Sequence, residues 1–232
     1  MGATHQSKLL NVLFLYLGKL YPIFQGENNL GYCHQQKVYI GLDEVGRGPL
    51  AGPVISCGCY FKNYTIQEDF YKLIGDSKKL SEKKRKVSFE FLQNLKKEGI
   101  IDYHLGIANV EEIDTLNILE ATKLSMKRVV DKFDLKNAHL IIDGNFSLNY
   151  KSYKENSIIK GDDKSISIAA ASIIAKVHRD RLMKKLSIRH QHFGWEKNAG
   201  YGTKLHIENI YRLGPTRHHR KTFEPIKSLI HS

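Results

Sequence analysis

Two strand-type apolar runs, Val38 to Asp43 (VYIGLD) and Pro53 to Phe61 (PVISCGCYF), flank a Gly/Pro-rich turn, and the first ends on a pair of acids. Runs of this length bounded by turn residues predict two adjacent strands. Beyond this pair the chain alternates between helix and strand. Ser81 opens a helix whose Val87, Phe91 and Leu95 recur at i, i+4 and i+8, with Gly99 as its stop. Ile100 to Ala108 returns to strand. Glu111 to Phe133 reads as one long helix with Ile118, Ala121, Met126, Val129, Val130 and Phe133 on one stripe. His139 to Asp143 is a buried-type strand, and Ser157 to Lys160 a short one. A helix from Ser165 to Leu186 then carries Ile166, Ala169, Ala170, Ile173 and Val177 on one face, its alanines allowing close approach to a sheet. Thr203 caps a last helix, ended by Gly214 and Pro215. Strand pairs succeeded by strand–helix alternation predict an α/β domain with a mixed sheet and helices on both faces.

Composition narrows the partner. The 232 residues carry 36 Lys and Arg against 24 Asp and Glu, a net charge of +12. An excess of that size favours a polyanion, usually nucleic acid, over a neutral metabolite. Three cysteines (Cys33, Cys57 and Cys59) are too few and too oddly counted for a disulfide framework, which fits a reducing cytosol. Cys57 and Cys59, at i and i+2 of a strand, read as buried thiols. Residues Leu9 to Phe24 are apolar but broken by Asn11, Gly18, Lys19 and Pro22, and fall short of the roughly 20 residues a span needs. The expectation is a cytoplasmic protein without a membrane anchor. Residues 1–37 read as an N-terminal extension and 38–232 as the folded domain.

Three carboxylate positions lie where a strand ends or a helix begins. Asp43 and Glu44 close the first strand, Asp143 closes the fourth, and Asp162 sits in Lys160-Gly161-Asp162-Asp163 before the Ala-rich helix. Strand ends in open α/β sheets face the ligand crevice. Taken singly, each is more readily a solvated turn residue. If the four converge, their mutual repulsion calls for a divalent cation. Oxygen donors without His or Cys suit Mg²⁺ or Mn²⁺, and two such ions roughly 4 Å apart serve phosphodiester hydrolysis.

Gly46-Arg47-Gly48-Pro49-Leu50-Ala51-Gly52-Pro53 is either a tight hairpin turn or a backbone that approaches a ligand closely. Lys78, in a loop before a helix start, is a candidate phosphate contact. Lys83 to Lys86 reads as a solvated helix face, and Arg217-His218-His219-Arg220-Lys221 as a second basic patch. The histidines lack cysteines at zinc spacing, so no structural zinc is expected, and Trp195 reads as a packing residue.

In order along the chain, these segments resemble the type 2 ribonucleases H (ribonuclease HII). The resemblance rests on Tyr39-Ile40-Gly41-Leu42-Asp43-Glu44-Val45-Gly46-Arg47-Gly48-Pro49-Leu50-Ala51-Gly52-Pro53 and Asp76-Ser77-Lys78-Lys79-Leu80-Ser81. It continues through Glu112-Ile113-Asp114-Thr115-Leu116-Asn117-Ile118-Leu119, Ile142-Asp143-Gly144-Asn145 and Lys160-Gly161-Asp162. Ala169 to Lys176, Gly200-Tyr201 and Gly214-Pro215-Thr216-Arg217-His218-His219 complete it, so that it spans Val38 to Lys227.

The resemblance implies a ribonuclease H-like fold: an α/β architecture with a five-stranded mixed sheet flanked by helices and a C-terminal helical part. It implies a monomeric, metal-dependent endonuclease acting on RNA–DNA hybrids and on duplex DNA containing single ribonucleotides. Such an enzyme cuts 5′ of the ribonucleotide and leaves 3′-hydroxyl and 5′-phosphate ends. By motif match, Asp43, Glu44, Asp143 and Asp162 hold two Mn²⁺ or Mg²⁺ ions. Gly46, Arg47 and Gly48 read the ribose 2′-hydroxyl, Tyr201 stacks on a sugar at the junction, and Lys78 contacts a phosphate. Two departures stand out. Gly202 follows Tyr201 where the family more often has Pro or Ala, which predicts a looser loop. The segment before Val38 is longer than in short members yet too short for the platform domain of the type 3 enzymes, so type 2 is favoured.

Overall fold

The computed structural model describes residues 38–62, 74, 80–135 and 137–231, and its five strands form one mixed sheet. They are β1 (Tyr39–Val45), β2 (Val54–Phe61), β3 (Ile101–Ala108), β4 (His139–Asp143) and β5 (Lys154–Ile158), in the order β3-β2-β1-β4-β5. The helices are α1 (Glu82–Lys97), α2 (Val110–Leu116), α3 (Ile118–Val130), α4 (Ile166–Arg189), α5 (Trp195–Asn198), α6 (Lys204–Leu213) and α7 (Ile226–His231). Every residue of β2 is buried, including Cys57 and Cys59, as an interior strand requires. No helix among the described residues is long and apolar enough to cross a membrane. The N-terminal extension and Lys78 lie outside the described residues.

Four expectations change. In α1 the buried residues are Ser88, Phe89, Leu92 and Leu95, while Val87 is 49% exposed, so the inward stripe is rotated from the one predicted. The long helix is broken at Asn117, whose φ of 74° no helix interior accommodates. Its side chain then accepts the Leu119 and Glu120 amides at 2.9 and 3.1 Å and starts α3 afresh. β5 begins earlier and stops at Ile158 because Lys160 turns left-handed, at φ 56°. Helix α6 is capped by Thr203 and ended by Gly214 as expected, but α7 comes after it.

The chain divides into two compact units. The first holds the described residues up to Gly41, with Cys59–Asp102 and Leu135–Ala170. Here β4 and β5 pair in parallel with Asp143 opposite Ile158, and Tyr39, Ile141 and Ile168 form a core against Ile158. Gly41 lets α4 lie on β1: a Cβ there would fall 2.4 Å from both Ile168 N and the Ser167 carbonyl carbon. The second unit holds Leu42–Gly58, Tyr103–Asp134 and Ala171–Ser232. One of its cores gathers Leu50, Ala51, Met183, Phe193, Trp195, Ile210 and Ile226.

Candidate functional site

Within the second unit, Asp43 and Glu44 occupy the C-terminal end of β1. Asp43 is 5% exposed, and its Oδ1 accepts the Glu44 amide at 2.8 Å. Arg47 reaches back to Glu44 Oε1 at 3.4 Å.

The loop after β1 is held from beneath by two arginines. Arg220 donates from Nε to the Gly52 carbonyl (3.0 Å), from Nη1 to Arg47 (2.8 Å) and from Nη2 to Gly46 and Gly52. Arg179 donates from Nε to the Pro53 carbonyl (3.0 Å) and from Nη2 to Ala51 (3.0 Å). Both side chains are fully buried. Burial draws the Arg179 guanidinium down to about 10 and, with Arg179's charge nearby, that of Arg220 to about 9. Both therefore stay charged at neutral pH. Gly46 has a φ of 96°, and a Cβ on it would meet Arg179 Nε at 2.2 Å, so the position requires glycine for its conformation and its neighbour alike. The C=O and N–H of a trans peptide unit point in opposite directions. Carbonyls 46 and 47 turned toward Arg220 therefore turn the Arg47 and Gly48 amides away from it. Those amides are the groups expected to read a sugar hydroxyl.

Tyr201 stands beside them, 48% exposed, its Cε1 only 3.5 Å from where a Gly48 Cβ would be. Its loop is not loose. The Tyr201 amide donates to Asn198 O (2.9 Å), and its carbonyl accepts from Thr203 N (2.8 Å) and His206 Nδ1 (2.8 Å). Gly202 fits for a local reason: a Cβ there would come within 2.9 Å of Leu50 Cδ1. Leu50 N bonds Gly200 O at 2.8 Å, and Arg179 Nη1 bonds Ala199 O at 2.8 Å.

The predicted C-terminal basic patch turns inward in part, since His219 and Arg220 are buried. The Thr216 amide donates to His219 Nδ1 at 2.9 Å, leaving Nε2–H to face His206 Nε2 at 3.0 Å. Trp195 Nε1 donates to that same His206 nitrogen at 3.0 Å, so the proton of His206 resides on Nδ1 and points at Tyr201 O. Both rings are neutral in this arrangement. Burial and the neighbouring His206 and His190 hold His219 down at about 3, and burial lowers His206. Asp114, from the quoted Glu112–Leu119 motif, anchors the same segment by accepting from Lys221 N, Thr222 N and Thr222 Oγ1.

Within the first unit, Asp143 ends β4, and its Oδ1 accepts the Gly161 amide at 2.8 Å. This bond ties the strand end to the 3₁₀ turn Gly161–Asp163, on which Asp162 sits 1% exposed. The turn packs closely at Gly161, where a Cβ would meet Ile168 Cδ1 at 2.6 Å and lie 3.4 Å from Asp143 Oδ1. Asp143 and Asp162 thus share one corner. Among the described residues no group of three or more His, Cys, Asp or Glu is gathered as a metal cage. The fit to a metal is one of donor chemistry: carboxylate oxygens at strand and turn ends, the ligand type of hard divalent cations.

Arg179, Arg220, Asn198, His206 and Asp114 were not foreseen. For Arg179 a signal existed. It lies between Ala175 and Met183 at i+4 steps along α4, a basic residue in a row that is otherwise buried and apolar. Arg220 sits in a run of basic residues, and nothing local distinguishes it.

Comparison with known proteins adds an independent finding. The ribonuclease HII family model matches residues 40–225. Ribonuclease HII of Wolbachia pipientis subsp. Culex pipiens is 48% identical over 90% of this chain and 99% of its own length. That of Macrococcus caseolyticus is 50% identical over 84% of this chain and 69% of its own. Among solved structures, ribonuclease H2 from Pyrococcus horikoshii matches at 27% identity with a TM-score of 0.66, covering 83% of this chain and 96% of that one. Bst-RNase HIII in complex with Mn²⁺ shares the fold at a TM-score of 0.64 and 19% identity, over 86% of this chain and 71% of that one.

Proposed function

Since the chain belongs to the ribonuclease HII family and is an RNase H-type endonuclease, we propose that it cuts the RNA strand of RNA–DNA hybrids and hydrolyses duplex DNA 5′ of single embedded ribonucleotides. The observation that carries the reading is the Gly46–Arg47–Gly48 loop with its carbonyls bound inward to Arg220 and Tyr201 at its edge. Outward amides on a rigid loop suit a hydroxyl that accepts as well as donates, and DNA lacks that hydroxyl. A site built to bond a hydroxyl rejects the analogue without it by large factors, because its own polar groups are then left unpaired. Tyr201, half exposed beside Gly48, is suited to stack on the neighbouring sugar. Lys78 is retained as a phosphate contact from the resemblance alone.

Asp43, Glu44, Asp143 and Asp162 would hold two divalent cations, Mg²⁺ or Mn²⁺. When bound, such ions activate water and stabilise the leaving oxygen of a phosphodiester. The protein's part is positional. The Gly161 amide fixes Asp143, the turn fixes Asp162, and the Glu44 amide fixes Asp43. Products would be a 3′-hydroxyl and a 5′-phosphate. The chain would work as a monomer in the cytoplasm.

The test is cleavage and binding on one preparation. Asp43→Asn and Asp143→Asn should each lower cleavage of a duplex with one ribonucleotide by roughly a thousandfold, as EDTA should for the native chain. Duplex affinity should stay within a few-fold, since phosphate contacts supply most of it. Retained turnover in the Asp143 variant, or cutting of all-DNA duplex by the native chain, overturns the reading.

A further inference from the structure

One buried guanidinium holds both of the loops that the proposed function assigns to substrate reading. Arg179 grips the loop after β1 at Ala51 O and Pro53 O, and with its remaining nitrogen grips Ala199 O, two residues before Tyr201. The two loops have a second direct link, the Leu50 to Gly200 backbone bond of 2.8 Å. The loop after β1 also closes on Arg179 sterically. A Cβ on Gly46 would strike Arg179 Nε at 2.2 Å, and one on Gly52 would lie 3.3 Å from its Nη2. The planar fork fixes three acceptors in one frame, which a lysine ammonium on a flexible stem does not reproduce. Displacement of either loop is therefore transmitted to the other through a rigid group.

We propose that Arg179 is a positioning residue that couples the Gly46–Arg47–Gly48 reader to Tyr201, so that ribose recognition and recognition of the adjacent sugar act as one event. The proposal rests on the reading given above for those two elements. It makes Arg179 a determinant of specificity for the ribonucleotide junction rather than of hydrolysis itself. Long hybrids offer ribose at every position and do not require the two loops to agree on a junction. A single ribonucleotide does.

The experiment compares kcat/KM on a duplex with one ribonucleotide and on a long RNA–DNA hybrid for the native chain, Tyr201→Ala, Arg179→Lys and the double variant. Folding is checked by circular dichroism. Arg179→Lys should lower the junction-to-hybrid ratio by roughly threefold or more, the size expected for residues sharing one network. The double variant should have about the ratio of the single ones rather than the product of their losses. Equal losses on both substrates with Arg179→Lys, or multiplicative losses in the double variant, overturn the coupling while leaving the reading intact. Equal losses on both substrates with Tyr201→Ala overturn the reading and the coupling with it. A second measurement does not depend on Arg179→Lys folding. In EDTA, the native chain and Tyr201→Ala are titrated with the single-ribonucleotide duplex and with plain DNA. Coupling requires the preference for the ribonucleotide to shrink by a similar factor in Tyr201→Ala, although the tyrosine is assigned to the neighbouring sugar. An unchanged preference overturns the coupling.

Discussion

Gly41→Ala adds one methyl group where β1 and α4 touch, and the structure gives its cost. The new carbon would sit 2.4 Å from Ile168 N and 2.4 Å from the Ser167 carbonyl carbon, whereas ordinary contacts at such a carbon begin near 3.4 Å. The shortfall is 3.4 − 2.4 = 1.0 Å, and both neighbours are main-chain atoms, so no rotamer change relieves it. The first turn of α4 has to retreat by about that distance, opening the contact among Tyr39, Ile141 and Ile168. Gaps of 0.5–1 Å forfeit a quarter to a half of a dispersion well. Overpacking of this kind typically costs about 1–3 kcal/mol. The smaller unfolded-state entropy of alanine returns only about 0.4–1 kcal/mol. At mid-range these leave a net loss of about 1.3 kcal/mol, which lowers the melting temperature by roughly 3–5 °C for a chain of this size. Because Asp162 lies on the turn just before α4, cleavage should fall as well. Gly99→Ala is the control: φ is 73° there, but nothing lies within 4 Å, so only the left-handed backbone is penalised, by about 1 kcal/mol. Thermal melts tracked by circular dichroism, with activity measured on the same samples, decide the matter. A Gly41→Ala chain that melts within a degree of the native one, or both variants losing activity alike, would refute the argument.

Other expectations arise from the buried polar groups. His219 is held at about 3 in the folded chain against an ordinary value of 6.5. Its contribution to stability is therefore complete above pH 6.5 and lost as pH falls toward 3, with a slope approaching about 1.4 kcal/mol per pH unit. Urea unfolding at pH 7, 6 and 5 should show that decline, and His219→Gln should flatten it; a native profile that is flat over this range refutes the assignment. Asp114→Ala removes the one acceptor of three hydrogen bonds from Lys221 and Thr222. It should cost roughly 2 kcal/mol in urea unfolding, in keeping with hydrogen bonds to charged groups. A loss below a few tenths would show that water replaces the carboxylate there.

Much of the fold was written locally. The apolar runs that became β1 to β4, the Thr203 and Gly214 helix boundaries and the burial of Cys57 and Cys59 all depend on periodicity and turn chemistry, which neighbouring residues set among themselves. The resemblance to the ribonuclease HII family was also legible, because its motifs are contiguous stretches in fixed order. The break at Asn117 was not, since a left-handed asparagine inside an apolar stripe depends on which of two helices its side chain caps. The inward face of α1 was set by its packing, which the stripe of Val87 and Phe91 misjudged.

The support of the reading loops came from tertiary structure alone. Arg179 lies up to 128 positions, and Arg220 up to 174, from the carbonyls they hold. His219 and Arg220 belong to a run whose composition suggests a solvated patch, yet both are buried. Sequence records that a residue carries charge. Whether the charge meets solvent, phosphate or the carbonyls of a distant loop is decided by which segments the fold brings beside it, because a buried guanidinium persists only where acceptors already await every donor it turns inward.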